Sequence, residues 1–244
     1  MILEIDMGNT RLKWRVRDSG LICARGNLLA SEGLEALTDG LIGFVGQLRK
    51  IWVASVVSSS ARQVLSLWCR ENIGLEAEFA SSEQVLAGVR NGYTKPELLG
   101  VDRWLALVAA YQRVRGACVV VSCGTAITVD LVNENGQHLG GYIAPGFRLL
   151  AQSLNQQTSQ IEVCCNLTAY LGPGIDTQAA VDAASAAMVK GVIANALREI
   201  KELAPETSSV LVLTGGDAEV VQVFFPQALL SPDLVQDGLA FAFQ

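Results

Sequence analysis

The sequence predicts an α/β protein made of two similar halves. The first observation is a unit that occurs twice. An apolar strand, Ile2-Leu3-Glu4-Ile5-Asp6, runs into Met7-Gly8-Asn9-Thr10 and out through Leu12-Lys13-Trp14. Far downstream Val119-Val120-Val121-Ser122 runs into Cys123-Gly124-Thr125-Ala126 and out through Ile127-Thr128-Val129. The second observation is that Val/Ile/Leu-rich strand segments are interspersed with helical patterns, the mark of an α/β layer architecture. The third is composition: of 244 residues, 50% are hydrophobic and 17% charged, enough to bury a sizeable core.

Taken in order, strand patterns cover 2–6, 11–17, 51–57, 117–122, 126–132, 138–143 and 209–214. Helical patterns cover 32–48, 60–72, 99–114, 146–156, 177–204, 217–223 and 233–242. The stretch 177–204 is Ala-rich and closes on Arg198, Lys201 and Glu202, all good helix formers. Each glycine turn between two strands suggests an antiparallel pair inside its half. The two turns lie about 116 residues apart, since Gly124 follows Gly8 by that spacing. Gly116 falls between a helix and the second strand–turn–strand, so the halves are drawn as 1–116 and 117–244.

A net charge of −6 argues against general nucleic-acid binding, because a phosphate backbone would be repelled. A local nest of amides can still bind phosphate on an acidic protein. No apolar run is expected to reach the length that crosses a bilayer. The N-terminal apolar residues alternate with Glu4 and Asp6, which is strand behaviour and not that of a signal peptide. A cytoplasmic protein is expected. The six cysteines, Cys23, Cys69, Cys118, Cys123, Cys164 and Cys165, form no C-x-x-C and are expected to be buried reduced thiols. His138 is the single histidine, which excludes a His-based metal cluster. Asn166-Leu167-Thr168 matches a glycosylation sequon, read as a chance match.

The glycine turns carry the chemistry. A turn of this kind presents backbone N–H groups, and two facing each other can cradle a polyphosphate between two lobes. Gly8 permits close approach, and Asn9 and Thr10 add donors. Lys13 on the outgoing strand can place a positive charge near a transferred phosphoryl group. Asp6 can hold Mg²⁺ through water, since that ion keeps most of its hydration shell. The bland alternative is an ordinary hairpin with Asx-type turn chemistry. Asp102, where a helix begins, has its own bland explanation as a cap on orphan amides. For Arg103 it is a solvated or salt-bridged surface side chain, and for Tyr93 a packed ring. Trp104 is read as core.

Asp6-Met7-Gly8-Asn9-Thr10 with Lys13, Gly100-Val101-Asp102-Arg103-Trp104, Gly124-Thr125-Ala126, Gly140-Gly141-Tyr142-Ile143-Ala144-Pro145-Gly146 and Thr214-Gly215-Gly216-Asp217 occur in this order. Together they resemble the type III pantothenate kinase family, which also contains the Bvg accessory factor proteins. The resemblance implies an actin-like fold of the acetate and sugar kinase, Hsp70 and actin superfamily, built from two duplicated ribonuclease H-like domains. It implies ATP-dependent phosphorylation of pantothenate, the first step of coenzyme A synthesis, in a homodimer using Mg²⁺ and a monovalent cation such as K⁺ or NH₄⁺.

It also implies residue roles. Asp102 is the general base. Asp6, Met7, Gly8, Asn9, Thr10, Arg11, Leu12 and Lys13 surround the ATP phosphates, with Gly124 and Thr125 from the second turn. Gly215 and Gly216 let backbone approach the adenosine, although a strand-to-helix Gly-Gly turn is also common for steric reasons. Tyr93, Gly100, Val101, Asp102 and Arg103 meet pantothenate. Two positions depart from the family pattern. Ser122 stands where the family carries an Asp associated with the monovalent cation. Ala184 stands where the family tends to have a Thr reaching pantothenate from the partner subunit, with Ser185 adjacent and Thr177 a further candidate. The alternative to an active kinase is a catalytically weak or inactive accessory member of the same family.

Overall fold

The computed structural model describes residues 1–165, 172–203 and 208–243. In the first half β1 (Ile2–Met7), β2 (Arg11–Asp18) and β3 (Leu21–Leu29) form an antiparallel meander, followed by α1 (Glu35–Leu41), β4 (Lys50–Ser55), α2 (Ser59–Asn72) and β5 (Ala77–Phe79). β4 lies parallel to β1 and β5 parallel to β4, giving the sheet order β3-β2-β1-β4-β5. A two-stranded ribbon, β6 (Val85–Leu86) with β7 (Val89–Arg90), precedes α3 (Val101–Val114). The second half repeats the plan: β8 (Cys118–Cys123), β9 (Ala126–Val132), β10 (His138–Pro145), α4 (Phe147–Gln157), α5 (Thr177–Leu203), β11 (Val210–Thr214), α6 (Ala218–Gln222), β12 (Leu229–Leu230) and α7 (Leu234–Ala242). Its sheet order is β10-β9-β8-β11-β12, with the same strand directions.

The chain divides into two compact units. One comprises Met1–Leu86, Thr94–Ala109 and Val235–Gln244, the other Ala87–Tyr93 and Ala110–Leu234. The first sheet lies within 1–116 and the second within 117–244, while α7 belongs almost entirely to the first unit.

Strand alternation explains each core. In the first unit Leu3 and Ile5 of β1, with Leu12, Trp14 and Val16 of β2, point to one face and are buried with Leu37, Leu41 and Leu65. In the second unit Val119, Val121 and Cys123, with Ile127, Val129 and Leu131, pack against Val189, Ile193, Ala196 and Ile200 of α5. Those α5 residues recur at helical spacing and form its buried stripe. Burial pushes the Cys123 thiol up to about 12, which leaves it a packing group.

The opposite face of the first sheet is charged and yet buried. Glu4 and Arg15 are direct cross-strand partners and are 0% and 3% exposed. Arg15 donates to Glu4 through Nε and to Asp237 of α7 through Nη1 at 2.7 Å. Arg17 adds an ion pair to the other Glu4 oxygen at 2.8 Å. Gln236 donates to the Glu4 carbonyl at 3.3 Å, and Phe243 stacks on Trp52 with ring centroids 5.3 Å apart. Gly238 lets α7 approach α3, because a Cβ there would meet the Leu105 backbone.

Several expectations are corrected. The helix over 32–48 is instead a 3₁₀ turn at Ala30–Glu32, the short α1 and a second 3₁₀ turn at Val45–Gln47. Gly33, Gly40, Gly43 and Gly46 weaken a continuous helix, and Gly40 sits against Trp14 where a Cβ would overlap the indole. The sequence reading missed β3 because it is an edge strand exposed along most of its length. β5, β6, β7 and β12 are too short to show a period. Cys69, Cys118 and Cys123 are buried, but Cys23 and Cys164 are exposed and Cys165 is half-buried. One segment, α5, is long and apolar enough by length and composition to cross a membrane, contrary to expectation. Its buried stripe packs on the second sheet as a core helix does. The sequon at 166–168 lies outside the described residues.

Breaking a buried ion pair leaves an uncompensated charge and typically costs about 3–5 kcal/mol. Arg15→Met is therefore expected to lower stability in urea unfolding by about 3 kcal/mol, with Arg17 keeping part of the Glu4 interaction. Asp237→Asn, whose side chain is 41% exposed, is expected to lower it by about 1 kcal/mol.

Candidate active site

In the first unit the site grows out of one register. β1 and β2 pair so that Asp6 faces Lys13 and Met7 faces Leu12. Because side chains alternate, Asp6 and Lys13 share the face that carries Glu4 and Arg15, while Leu12 turns into the core and Met7 packs against it. Of the expected phosphate-turn residues, Met7 and Leu12 thus have only backbone to offer. Gly8, Asn9 and Thr10 form the loop. Gly8 donates its amide to the Arg11 carbonyl at 3.0 Å, and the Thr10 carbonyl accepts from Ala30 at 2.9 Å. Asn9, Thr10 and Arg11 are exposed at the tip, and Arg11 donates to Asn27 Oδ1 at 3.1 Å.

Asp6 is recessed, and loss of hydration is the main reason its carboxyl rises from 3.8 to about 6. Lys13 opposes the rise, and the negative charge of Asp102 adds to it. Asp6, Lys13 and Asp102 thus share one electrostatic neighbourhood, all within the first unit. Asp102 lies in the first turn of α3, and its Oδ1 accepts the Arg103 amide at 2.8 Å. Gly100 makes room for this: a Cβ there would lie 2.7 Å from Asp102 Oδ1. The cap explanation of Asp102 therefore holds as local geometry, alongside its place near Asp6. Arg103 is 8% exposed, which sets aside the bland alternative of a surface side chain. Val101 and Trp104 are buried, so Val101 has only its backbone to offer.

In the second unit the equivalent hairpin puts Ser122 opposite Thr128, where the first has Asp6 opposite Lys13. Its loop, Gly124-Thr125, is one residue shorter. Two glycines clamp it. Gly146 donates its amide to the Thr125 carbonyl at 2.9 Å, and a Cβ on Gly146 would overlap the Gly124 carbonyl. Gly215, at φ +96°, leaves no room for a Cβ against Cys123, and the Asp217 amide donates to the Cys123 carbonyl at 3.0 Å. Gly216 is exposed beside it. Sequence reading gave Gly146 and Asp217 no role; the density of glycine around 140–146 and 215–216 was the available signal.

Tyr93 is half-buried in the second unit, its ring stacked on His138. Ala184 is exposed on α5, and Ser185 is buried, donating back to Val181 at 2.8 Å.

The sequence model of type III pantothenate kinases matches residues 2–199. A type III pantothenate kinase of Cellvibrio japonicus is 42% identical over 100% of this chain and 97% of its own length. One from Ectopseudomonas mendocina is 39% identical over 99% and 98%.

The chain belongs to the type III pantothenate kinase family.

Among solved structures, a Campylobacter jejuni protein described as a Baf family transcriptional activator superposes with TM-score 0.63 at 21% identity, over 98% of this chain and 95% of that one. A Sinorhizobium meliloti protein described as a 2-dehydro-3-deoxygalactonokinase gives 0.54 at 13% identity, over 99% and 98%. These likenesses confirm the actin-like fold of two sheet domains. Among the described residues no three His, Cys, Asp or Glu groups gather as a metal site. The two neighbouring carboxylates of Asp6 and Asp102 nonetheless suit a hydrated Mg²⁺, which needs few protein oxygens. Ser122 and Thr128 present neutral hydroxyls only. The buried carboxylate further along that strand pair, Asp130, is engaged by His138 at 3.0 Å, so the residues at Ser122 do not suit a charge-held monovalent cation.

A carboxyl raised on folding works against stability as it ionises. Between about pH 4 and 6 the native state keeps a proton that the unfolded chain has lost, so this group's contribution falls with rising pH and stays low above about 6. Asp6→Asn is expected to stabilise the unliganded protein at pH 7.5 by up to roughly 3 kcal/mol and to do little at pH 3.5, measured by urea unfolding at both pH values. In carboxyl-detected NMR, Asp102→Asn should lower the Asp6 midpoint and Lys13→Met should raise it.

Proposed function

We propose that this chain transfers the γ-phosphoryl group of ATP to the primary hydroxyl of pantothenate, with Asp102 as general base. The observation that carries the assignment of roles is the grouping of Asp6, Lys13 and Asp102 in one unit of a chain related to type III pantothenate kinases over its whole length. The Asp102 carboxylate accepts the hydroxyl proton as the alcohol attacks phosphorus. In a loose transition state most of the rate comes from positioning and charge stabilisation, so the proton moves late. Lys13 places its ammonium on the transferred group. The amides of Asn9, Thr10 and Arg11, the side chains of Asn9 and Thr10, and the amide and hydroxyl of Thr125 bind phosphate oxygens, while Gly8 and Gly124, whose own amides close their turns, let the backbone come close. Gly215 and Gly216 leave room for the adenosine.

Asp6 would hold Mg²⁺ through water; when bound, that ion neutralises charge on the phosphate oxygens. No step is assigned to a monovalent cation at Ser122. Tyr93, Gly100, Val101 and Arg103 bind pantothenate, Gly100 and Val101 through backbone. The reaction takes place in the cytoplasm. A homodimer forms through α5, whose exposed Ala180, Ala184, Ala187, Gly191 and Ala194 form a stripe of small residues that allows close helix approach.

The decisive measurement is pantothenate-dependent ADP release by the purified protein. Asp102→Asn is expected to lower kcat by about 10²-fold or more while ATP binding persists; full turnover in that variant removes Asp102 from the role of base. Rates in Na⁺, K⁺ and NH₄⁺ should be equal within about twofold, with dependence on the ion appearing in Ser122→Asp. Strong ion dependence in the unaltered protein contradicts the reading of Ser122.

A further inference from the structure

We infer that His138 is a positioning residue for the acceptor side of the site, holding the Asn91–Tyr93 segment through a fixed imidazole; this rests on the reading of Tyr93 as a pantothenate contact. His138 is the single histidine of the chain and is 1% exposed at the start of β10. The ladder between β10 and β9 is irregular there, with His138 opposite Val132 and Gly140 opposite Leu131. Leu139 is the extra residue of this bulge. In an unbroken ladder Leu139 would face Val132 and His138 would point to the core side with Leu131. The bulge reverses that and puts His138 on the face of Asp130.

There its Nε2 lies 3.0 Å from Asp130 Oδ1, and Asp130 is itself 2% exposed. On the other side of the ring, Nδ1 accepts the Gly92 amide at 3.4 Å. An Nδ1 that accepts carries no proton, so the ring proton sits on Nε2 and is donated to Asp130. The carboxylate fixes the tautomer, and the tautomer fixes which way the ring can receive the loop. The Tyr93 ring then stacks on the imidazole, with centroids 6.0 Å apart and planes 12° apart.

The loop is fitted to this plate. Gly92 could carry no side chain, since a Cβ would overlap the His138 carbonyl. Arg90 donates its amide to the Gly136 carbonyl at 2.9 Å, and the Tyr93 amide donates to Asn91 Oδ1 at 2.9 Å, with Asn91 3% exposed. All these groups belong to the second unit. The chain Asp130–His138–Gly92/Tyr93 thus transmits a rigid strand pair into the orientation of one aromatic ring.

The experiment is steady-state kinetics of the full-length protein with pantothenate and ATP varied separately. Tyr93→Ala tests the underlying reading and is expected to raise KM for pantothenate about 10-fold or more, with KM for ATP unchanged. His138→Gln keeps the reach to Asp130 but loses the ring and the Nδ1 acceptor. It is expected to raise KM for pantothenate about 5–20-fold, with kcat and KM for ATP within about twofold. If His138 acts through Tyr93, the double variant shows the Tyr93→Ala value and no more, whereas independent effects would multiply. An unchanged KM in His138→Gln, or multiplied effects, overturns the inference while leaving Tyr93 as a contact. An unchanged KM in Tyr93→Ala overturns the reading beneath it. Should His138→Gln not fold, Asp130→Asn, which removes the carboxylate that fixes the imidazole tautomer, takes its place: the same selective rise supports the inference, and an unchanged pantothenate KM overturns it.

Discussion

The facing of Asp6 and Lys13 across the first hairpin is the constraint on which the candidate site depends. Their pairing is a consequence of register: with Leu3, Ile5, Leu12, Trp14 and Val16 filling the core, every intervening residue is forced to the other face. A slip of one residue would send the carboxylate and the ammonium into the apolar core. The hydrophobic pattern of two strands thereby sets where the Asp6 carboxylate and the Lys13 ammonium meet. The same alternation explains why Met7 and Leu12, inside the signature run, contribute backbone only.

The two halves show how a duplicated scaffold diverges. Strand order and direction are the same in both sheets, and each opens on a hairpin whose first strand ends in a glycine turn. At the paired position one hairpin carries a carboxylate and an ammonium, the other two hydroxyls. Just inside that pair the first half buries Glu4 against Arg15, and the second buries Asp130 against His138. The same place on the second strand of each hairpin holds Arg15 in one unit and Asp130 in the other, so one position serves a buried ion pair with the neighbouring β1 and the other a contact to β10.

Much of this was legible in the letters, for identifiable reasons. The hairpins could be read because alternation and glycine turns are local signals, and α5 because its Ala-rich period is long. The 32–48 region misled because its apolar spacing resembles a helix, while Gly40 is there to accommodate Trp14 from a distant strand. β3 is too exposed to alternate. The Asp130–His138 contact was hidden by a bulge, which shifts the face of a side chain without changing composition. Arg103 had no sequence signal for burial, since only packing around α3 decides it.

The Arg15–Asp237 contact spans 222 positions of chain. β1 and β2 leave the ribosome early, but the carboxylate that completes the Arg15 environment arrives with α7, after the whole second unit. During synthesis the charged face of the first sheet is therefore completed only when α7 arrives. Such non-local closure is slow by topology and makes completion of the first unit contingent on the second unit having been made.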